Sequence, residues 1–146
     1  MKEIKLSDIS KLKYKIYRIE ASKPKDPDIF IIKFIGNYGM GSKGNSDASF
    51  MDAIINLIKH NFYSRTILDL SQLHYEWGDE ISRILDGFVL EENTGDALVL
   101  GENGRKGISS LYQMDYNKNI DENNNIFSDI ESALHYMKTE LSSMEN

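Results

Sequence analysis

Two short segments of the chain carry groups that could bind a ligand. In the first, residues 39–44 read Gly-Met-Gly-Ser-Lys-Gly, a G-x-G-x-x-G pattern of the kind that arranges backbone N–H groups around a phosphate. A strand is predicted before this segment and a helix after it, as in dinucleotide-binding folds. If the segment binds an anion or a nucleotide, the candidate ligands are Gly39, Gly41, Lys43 and Gly44.

The spacing around this glycine segment fits a nucleotide site poorly. The preceding apolar run stops at Gly36 and the next helical pattern starts several residues after Gly44, so the glycines do not lie on a tight strand-to-helix turn. Asp69 stands where a ribose-binding acid would lie, but it follows Gly39 by 30 residues instead of about 20. A phosphate-binding P-loop would need a lysine where Ser42 stands. The sequence favours a mobile surface loop, with nucleotide binding as an alternative.

The second segment, His-Tyr-Glu-Trp at residues 74–77, follows another predicted strand. Its His-x-Glu spacing matches the start of a zinc deaminase signature, but the chain has no cysteine to complete that signature. The three histidines fall on three different predicted elements, so we expect no metal site and no cofactor. Trp77 is the only tryptophan, and in such a loop it is either part of the core or an anchor for a partner.

The remaining reactive side chains do not predict an enzyme. No serine stands in a nucleophile-elbow sequence, and no Ser-His-Asp set has the sequence context of a catalytic triad. The paired acids at 79–80 and 91–92 are sequence neighbours, and neighbouring residues do not face each other on a helix. They are therefore poor general acid–base pairs, and we expect a non-enzymatic protein.

Length and composition predict a single domain over residues 1–146, with a core over about 11–142. Apolar residues make up 40% of the chain and charged residues 27%, which is ordinary for a globular protein. No stretch approaches the roughly 18 apolar residues of a membrane span, and the first residues lack an apolar leader run. Together with the absence of cysteine, this favours a cytoplasmic protein that does not contact membranes.

The net charge of −6 is unevenly distributed and argues against nucleic acid as a partner. Residues 1–26 hold eight basic and four acidic side chains. Residues 76–96 hold one basic side chain, Arg83, and seven acidic ones, namely Glu76, Asp79, Glu80, Asp86, Glu91, Glu92 and Asp96. Such an acidic patch suits a basic protein partner, although a solvated surface is the ordinary explanation of a charge run.

The spacing of apolar residues predicts the element order β-β-α-β-α-β-α-β-α. Strands are predicted near residues 12–19 and at 29–35, 67–70, 97–100 and 126–127. Helices are predicted from a cap at 46–49 to residue 58, at 79–88, over a short stretch at 103–112, and from the capping box 128–131 to about 142, with a flexible polar loop at 116–125. This alternation predicts a single-domain α/β fold, with a mixed, mainly parallel sheet of four to five strands and about four helices.

The ordered set of elements resembles the STAS domain, the anti-sigma-factor-antagonist family, over roughly residues 11–142. That family carries Asp-Leu-Ser after a buried strand, and here residues 69–71 have this sequence. Its last part is a short apolar strand and then a helix beginning near an Ala-Leu pair, which residues 126–127 and 133–134 match. The family's phosphorylatable serine falls on Gly78, so the phosphorylation switch is missing.

The resemblance implies a protein-binding regulatory module. In the family, the loop and helix after Asp-Leu-Ser engage a partner, typically a kinase-type anti-sigma factor, and serine phosphorylation breaks that contact. Carried over to this chain, the partner-binding residues are Tyr75, Glu76, Trp77, Gly78, Asp79, Glu80 and Arg83. Because a glycine cannot be phosphorylated, regulation would have to come from elsewhere.

Two other functions also fit the sequence. The acidic patch would suit an immunity or inhibitor protein that blocks the basic active site of a toxin. The glycine segment at 39–44 would suit a nucleotide or small-ligand sensor. A kinase-like partner would favour the regulatory module, and a basic nuclease would favour the inhibitor.

Overall fold

The computed structural model describes residues 1–89 and 95–144, except for the side chains of residues 89 and 140–144. Within these ranges the chain forms five strands and five α-helices. The strands are β1 (Lys13–Ile19), β2 (Asp28–Asn37), β3 (Ser64–His74), β4 (Ala97–Leu100) and β5 (Ile126–Phe127). The helices are α1 (Leu6–Ile9), α2 (Asn45–Asn61), α3 (Ile81–Val89), α4 (Glu102–Tyr116) and α5 (Ile130–Met144).

The strands form one mixed sheet in the order β1-β2-β3-β4-β5. β1 pairs with β2 in the antiparallel sense, and the other three pairs are parallel. The predicted α/β fold with a mainly parallel sheet is therefore confirmed. Because β2 to β5 follow one another both along the chain and across the sheet, right-handed connections place the intervening helices on one face.

Two hydrophobic cores cover the opposite faces of this sheet. Successive residues of β2 enter different cores, as Phe30 and Ile29 illustrate. The larger core packs the sheet against α2, α3 and α4, and the smaller core packs the other face against α5. The larger core extends through Tyr38 and Tyr75 to the carboxyl ends of β2 and β3. The loops at this edge therefore rest on buried aromatic rings.

The third strand differs from its prediction. A strand ending at Asp-Leu-Ser was expected, but β3 continues through residues 69–71 to His74. Lys33 pairs with Asp69 and Ile35 pairs with Gln72, so β3 has two residues between these pairs where β2 has one. The Asp69 carboxylate accepts a 2.9 Å hydrogen bond from the Ser71 N–H. The Asp-Leu-Ser sequence is thus a β-bulge inside the strand rather than its end.

Both boundaries of the glycine segment also lie closer to it than the sequence predicted. β2 continues through Gly36 to Asn37. A 3₁₀ turn at Gly41–Gly44 leads directly into α2, which begins at Asn45. The segment is therefore a short connection between a strand and a helix, with little free loop on either side.

The second half of the chain is more helical than predicted. α4 has 15 residues and ends at Tyr116, and a 3₁₀ turn at Ile120–Glu122 lies inside the predicted polar loop. At the start of α5 the Asp129 carboxylate, rather than Ser128, accepts a 2.7 Å hydrogen bond from the Ser132 N–H. In the described ranges, no helix has the length and apolar character needed to cross a membrane.

Candidate functional site

The two segments selected from the sequence meet in one structure at the carboxyl ends of β2 and β3. We call residues 39–44 the glycine loop and residues 75–80 the Trp77 loop. The Tyr38 N–H donates to the His74 carbonyl at 2.9 Å, and the Gly41 N–H donates to the Trp77 carbonyl at 3.1 Å. In parallel α/β sheets this edge is where ligands and partners commonly bind. The loops therefore form one candidate site, which the sequence had divided into two.

The indole of Trp77 is the main exposed feature of this site. Trp77 is 61% exposed, so it is not part of the hydrophobic core. One edge of the ring covers Gly41, whose φ of 58° is a left-handed conformation that favours glycine. Beside the ring lies a small cleft of about 230 Å³, lined by Gly41, Ser42, Asn45, Trp77, Gly78, Asp79 and Glu80.

Tyr75, which the sequence grouped with the partner-binding residues, lies beneath the surface of the Trp77 loop. Its side chain is 2% exposed, and its hydroxyl donates a 2.6 Å hydrogen bond to the Gly78 carbonyl. Its ring packs edge-on against Tyr38 with the centroids 5.3 Å apart. Burial, followed by the nearby carboxylates of Asp79 and Asp115, raises the pKa of Tyr75 to about 12. Tyr75 therefore acts as an internal support of the loop.

Gly78 also lies inside the Trp77 loop. It is buried and has a φ of 140°, a conformation that L side chains rarely adopt. A Cβ at this position would lie 3.0 Å from the Gly41 carbonyl oxygen. The loop geometry thus accounts for a glycine at the position where the family resemblance places a serine.

Three carboxylates belong to the Trp77 loop, and those of Asp79 and Glu80 line the cleft beside the indole. Glu76 and Asp79 are exposed and Glu80 is partly exposed. Glu76 lies 3.2 Å from the His74 Nε2, and Glu80 lies 3.2 Å from the Arg83 Nε. Ion pairs this exposed stabilise a fold by little, so these carboxylates remain open to a basic partner.

The acidic patch predicted over residues 76–96 is smaller in the structure. The Asp96 carboxylate is buried, where it accepts hydrogen bonds from the Lys59 ammonium at 2.8 Å and the Thr66 N–H at 2.9 Å. Asp86 accepts a hydrogen bond from the Tyr116 hydroxyl, and burial raises the pKa of that carboxyl. Glu91 and Glu92 lie outside the described residues. Within the described part of this stretch, the fully exposed acids are therefore Glu76 and Asp79, which flank Trp77 in the sequence.

Three backbone donors of the glycine loop, the N–H groups of Gly39, Gly41 and Lys43, are already engaged. The Gly39 N–H donates to the Asp47 carboxylate at 2.8 Å, and the Ser10 hydroxyl donates to the same carboxylate at 2.5 Å. The Lys43 N–H donates to the Met40 carbonyl at 3.2 Å. The buried Asp47 carboxylate therefore occupies a donor that a phosphate would otherwise use, whereas the Lys43 side chain is exposed.

The three histidines lie on three different elements. His60, His74 and His135 lie on α2, β3 and α5. Within the described ranges no group of three or more histidines and acids could hold a metal ion.

Sequence reasoning missed three contributors to this site, namely Ser42 and Asn45 in the cleft and Asp47 below the glycine loop. The sequence contained a signal for them, because the loops that follow two neighbouring parallel strands begin at the same edge of a sheet. Predicting that β2 and β3 are neighbours would have placed these residues next to Trp77.

Neither a family model, nor a curated protein, nor a solved structure matches this chain. The resemblance to the STAS domain therefore rests on the residues and the order of elements, and it stays a prediction.

Proposed function

We propose that this protein is a non-enzymatic, STAS-like regulatory module that binds a protein partner through the Trp77 loop and the start of α3. The observation that carries the proposal is the exposed indole of Trp77 on a backbone fixed by the glycine loop. An exposed tryptophan is costly to leave in water, and tryptophan is enriched among the residues that dominate binding energy.

The loop is well suited to a binding surface because it is already ordered. The Gly41 N–H donates a hydrogen bond to the Trp77 carbonyl, and the buried Tyr75 hydroxyl donates one to the Gly78 carbonyl. A partner would therefore pay little conformational entropy to order this backbone on binding. Preorganisation of this kind favours slow dissociation of the complex.

The chemistry around the indole favours a basic partner. Glu76, Asp79 and Glu80 form a carboxylate rim, and rim charges mainly set the association rate and the salt dependence of binding. A kinase-like regulatory partner and a basic toxin would both meet this requirement. The identity of the captured protein distinguishes the regulatory module from an inhibitor.

Quantitative affinity capture tests the proposal. Tagged wild type, Trp77→Ala and Leu57→Ala are expressed in the native host, and co-purified proteins are compared by mass spectrometry. Leu57 is a matched control because it is 60% exposed, on α2. A partner should be retained by wild type and Leu57→Ala and weakened at least about 30-fold by Trp77→Ala, which corresponds to about 2 kcal/mol. Equal capture by all three chains would contradict the proposal.

A second comparison distinguishes the role of the carboxylates from the role of Trp77 in binding. In Asp79→Asn combined with Glu80→Gln, association with the captured partner should slow and depend less on salt, while dissociation changes little. Trp77→Ala should mainly speed dissociation. Both variants should unfold within about 1 kcal/mol of wild type, since the changed side chains are partly or largely exposed.

A further inference from the structure

We propose that the outer edge of β1 is a second docking surface, which adds an acidic, extended peptide to the sheet as a sixth strand. β1 is the terminal strand of the sheet, so one side of its backbone has no neighbouring strand in the described part of the chain. Alternate residues of such an edge point their N–H and C=O groups outward. An extended peptide can pair with these groups.

The side chains of β1 are exposed to an unusual degree. Six of its seven residues are exposed, and the seventh is half-buried. Tyr14 is 45% exposed, Ile16 is 38% exposed and Tyr17 is 49% exposed. Lysines on an edge strand ordinarily prevent it from pairing with another chain, but exposed aromatic and β-branched residues favour such pairing. The edge therefore offers apolar contacts to an incoming strand.

The charge of the edge selects an acidic occupant. The sequence of β1, Lys-Tyr-Lys-Ile-Tyr-Arg-Ile, contains no acid, although the whole chain has a net charge of −6. Lys15 stands directly opposite Lys33 in the β1–β2 pair, a like-charge arrangement that is destabilising. Among the described residues neither lysine forms an ion pair. Carboxylates on an added strand would relieve this repulsion.

The same charges disfavour a second copy of this chain as the occupant. Two β1 edges paired with each other would bring four lysines close together, with no acid in either strand. The edge is therefore suited to a strand of a different sequence.

The alternation of side chains also predicts the pattern of the peptide. Lys13, Lys15 and Tyr17 point to one face of the sheet, and Tyr14 and Ile16 point to the other. A partner strand should therefore alternate acidic residues with apolar ones. At the start of β1, a groove of about 520 Å³ could receive an apolar side chain, and it is lined in part by Leu6, Leu12, Tyr14 and Phe50.

The test uses a seven-residue peptide of alternating glutamate and valine as the probe. Two controls are a peptide of the same composition with the glutamates grouped together and an alternating lysine–valine peptide. NMR titration of the full chain should show the alternating glutamate peptide shifting the amides of residues 13–19. The grouped peptide should bind at least about tenfold more weakly, and the lysine peptide should not bind.

Charge reversal provides the matched variants. Lys13→Glu combined with Lys15→Glu should weaken binding of the alternating peptide at least about tenfold, whereas Lys106→Glu combined with Lys118→Glu on exposed positions elsewhere should not. The first pair should fold normally, because a carboxylate at position 15 would face Lys33. Trp77→Ala should leave peptide binding unchanged, which separates this surface from the Trp77 loop.

Several results would overturn the proposal. These are the absence of binding at millimolar peptide, equal binding of the alternating and grouped peptides, and shifts outside β1 only. A dimer in which β1 pairs with β1 would also contradict it. So would a single-stranded oligonucleotide that competes for the same lysines at physiological salt.

Discussion

The Trp77 indole lies against Gly41 so closely that a Cβ at residue 41 would stand 2.5 Å from the ring carbon Cη2. The same two residues share a backbone hydrogen bond of 3.1 Å. The glycine loop and the exposed tryptophan are thus fitted to each other, and a change in one should be visible in the other.

Gly41→Ala should destabilise the fold and displace the indole. A left-handed conformation costs an alanine about 1–2 kcal/mol, and the contact with Trp77 adds to that cost. Urea unfolding measures the loss, and the fluorescence of the single tryptophan measures the displacement. Gly87→Ala is the control, because nothing lies within 4 Å of a Cβ there and α3 should gain about 0.5–1 kcal/mol. Equal effects of the two changes would contradict the fitted contact.

Tyr75→Phe should cost about 0.5–1.5 kcal/mol, because the buried hydrogen bond to the Gly78 carbonyl is lost. Tyr38→Phe is the comparison, since the Ile81 backbone approaches the buried Tyr38 hydroxyl without a well-aligned hydrogen bond, and the loss of that hydroxyl should cost less. Urea denaturation at neutral pH compares the two. A larger loss for Tyr38→Phe would reverse the roles assigned to these rings.

Alkaline titration should show the burial of Tyr75. Its pKa of about 12 in the folded protein lies above the ordinary tyrosine value near 10. A raised pKa in the folded state means that this contribution to stability is complete below about pH 10 and is lost as the pH rises toward 12. Melting curves from pH 8 to 12 should therefore fall less steeply for Tyr75→Phe than for wild type. Parallel curves would argue that Tyr75 ionises freely.

Gly78→Ser should damage the loop rather than restore a phosphorylation switch. The φ of 140° at this position costs a serine about 1–3 kcal/mol, and its Cβ would press on the Gly41 carbonyl. Thermal unfolding should show a clearly lower Tm than wild type. A variant as stable as wild type would show that the loop can adopt another backbone conformation.

The sequence predicted the sheet well and the site only in part. β4, β5 and the centre of β2 are short apolar runs, and such runs are strong signals because burial selects them. Three of the four residues 71–74 are polar and this stretch resembles a loop, yet it continues β3 because the bulge at Asp69 lets the strand keep pairing with β2. That pairing is a tertiary property, and it is what brings the glycine loop to Trp77.

The charged residues illustrate the same limit. Asp96 is one of seven acids among residues 76–96, but it is buried and paired with Lys59, which lies 37 residues away. A local charge pattern cannot distinguish an acid on the surface from one whose partner comes from a helix distant in the sequence.

ATP, GTP and NAD at millimolar concentration should leave the Tm unchanged. The N–H groups of Gly39 and Gly41 are already bonded to Asp47 and Trp77, so these two donors are not available to a phosphate. A ligand at a hundredfold excess over its Kd would stabilise the fold by about 2.7 kcal/mol, which is easily seen. A rise of several degrees that Lys43→Ala abolishes would favour the nucleotide sensor instead.

The most direct test of the binding surface uses the fact that Trp77 is the only tryptophan. Protein labelled with 5-fluorotryptophan gives one ¹⁹F signal, which is recorded before and after addition of the partner captured by wild type. The proposal predicts that this signal shifts and broadens as the exposed indole becomes buried in the complex. If the complex forms, as judged by its elution volume, while the signal keeps its free position, the partner does not bind Trp77 and the proposal is wrong.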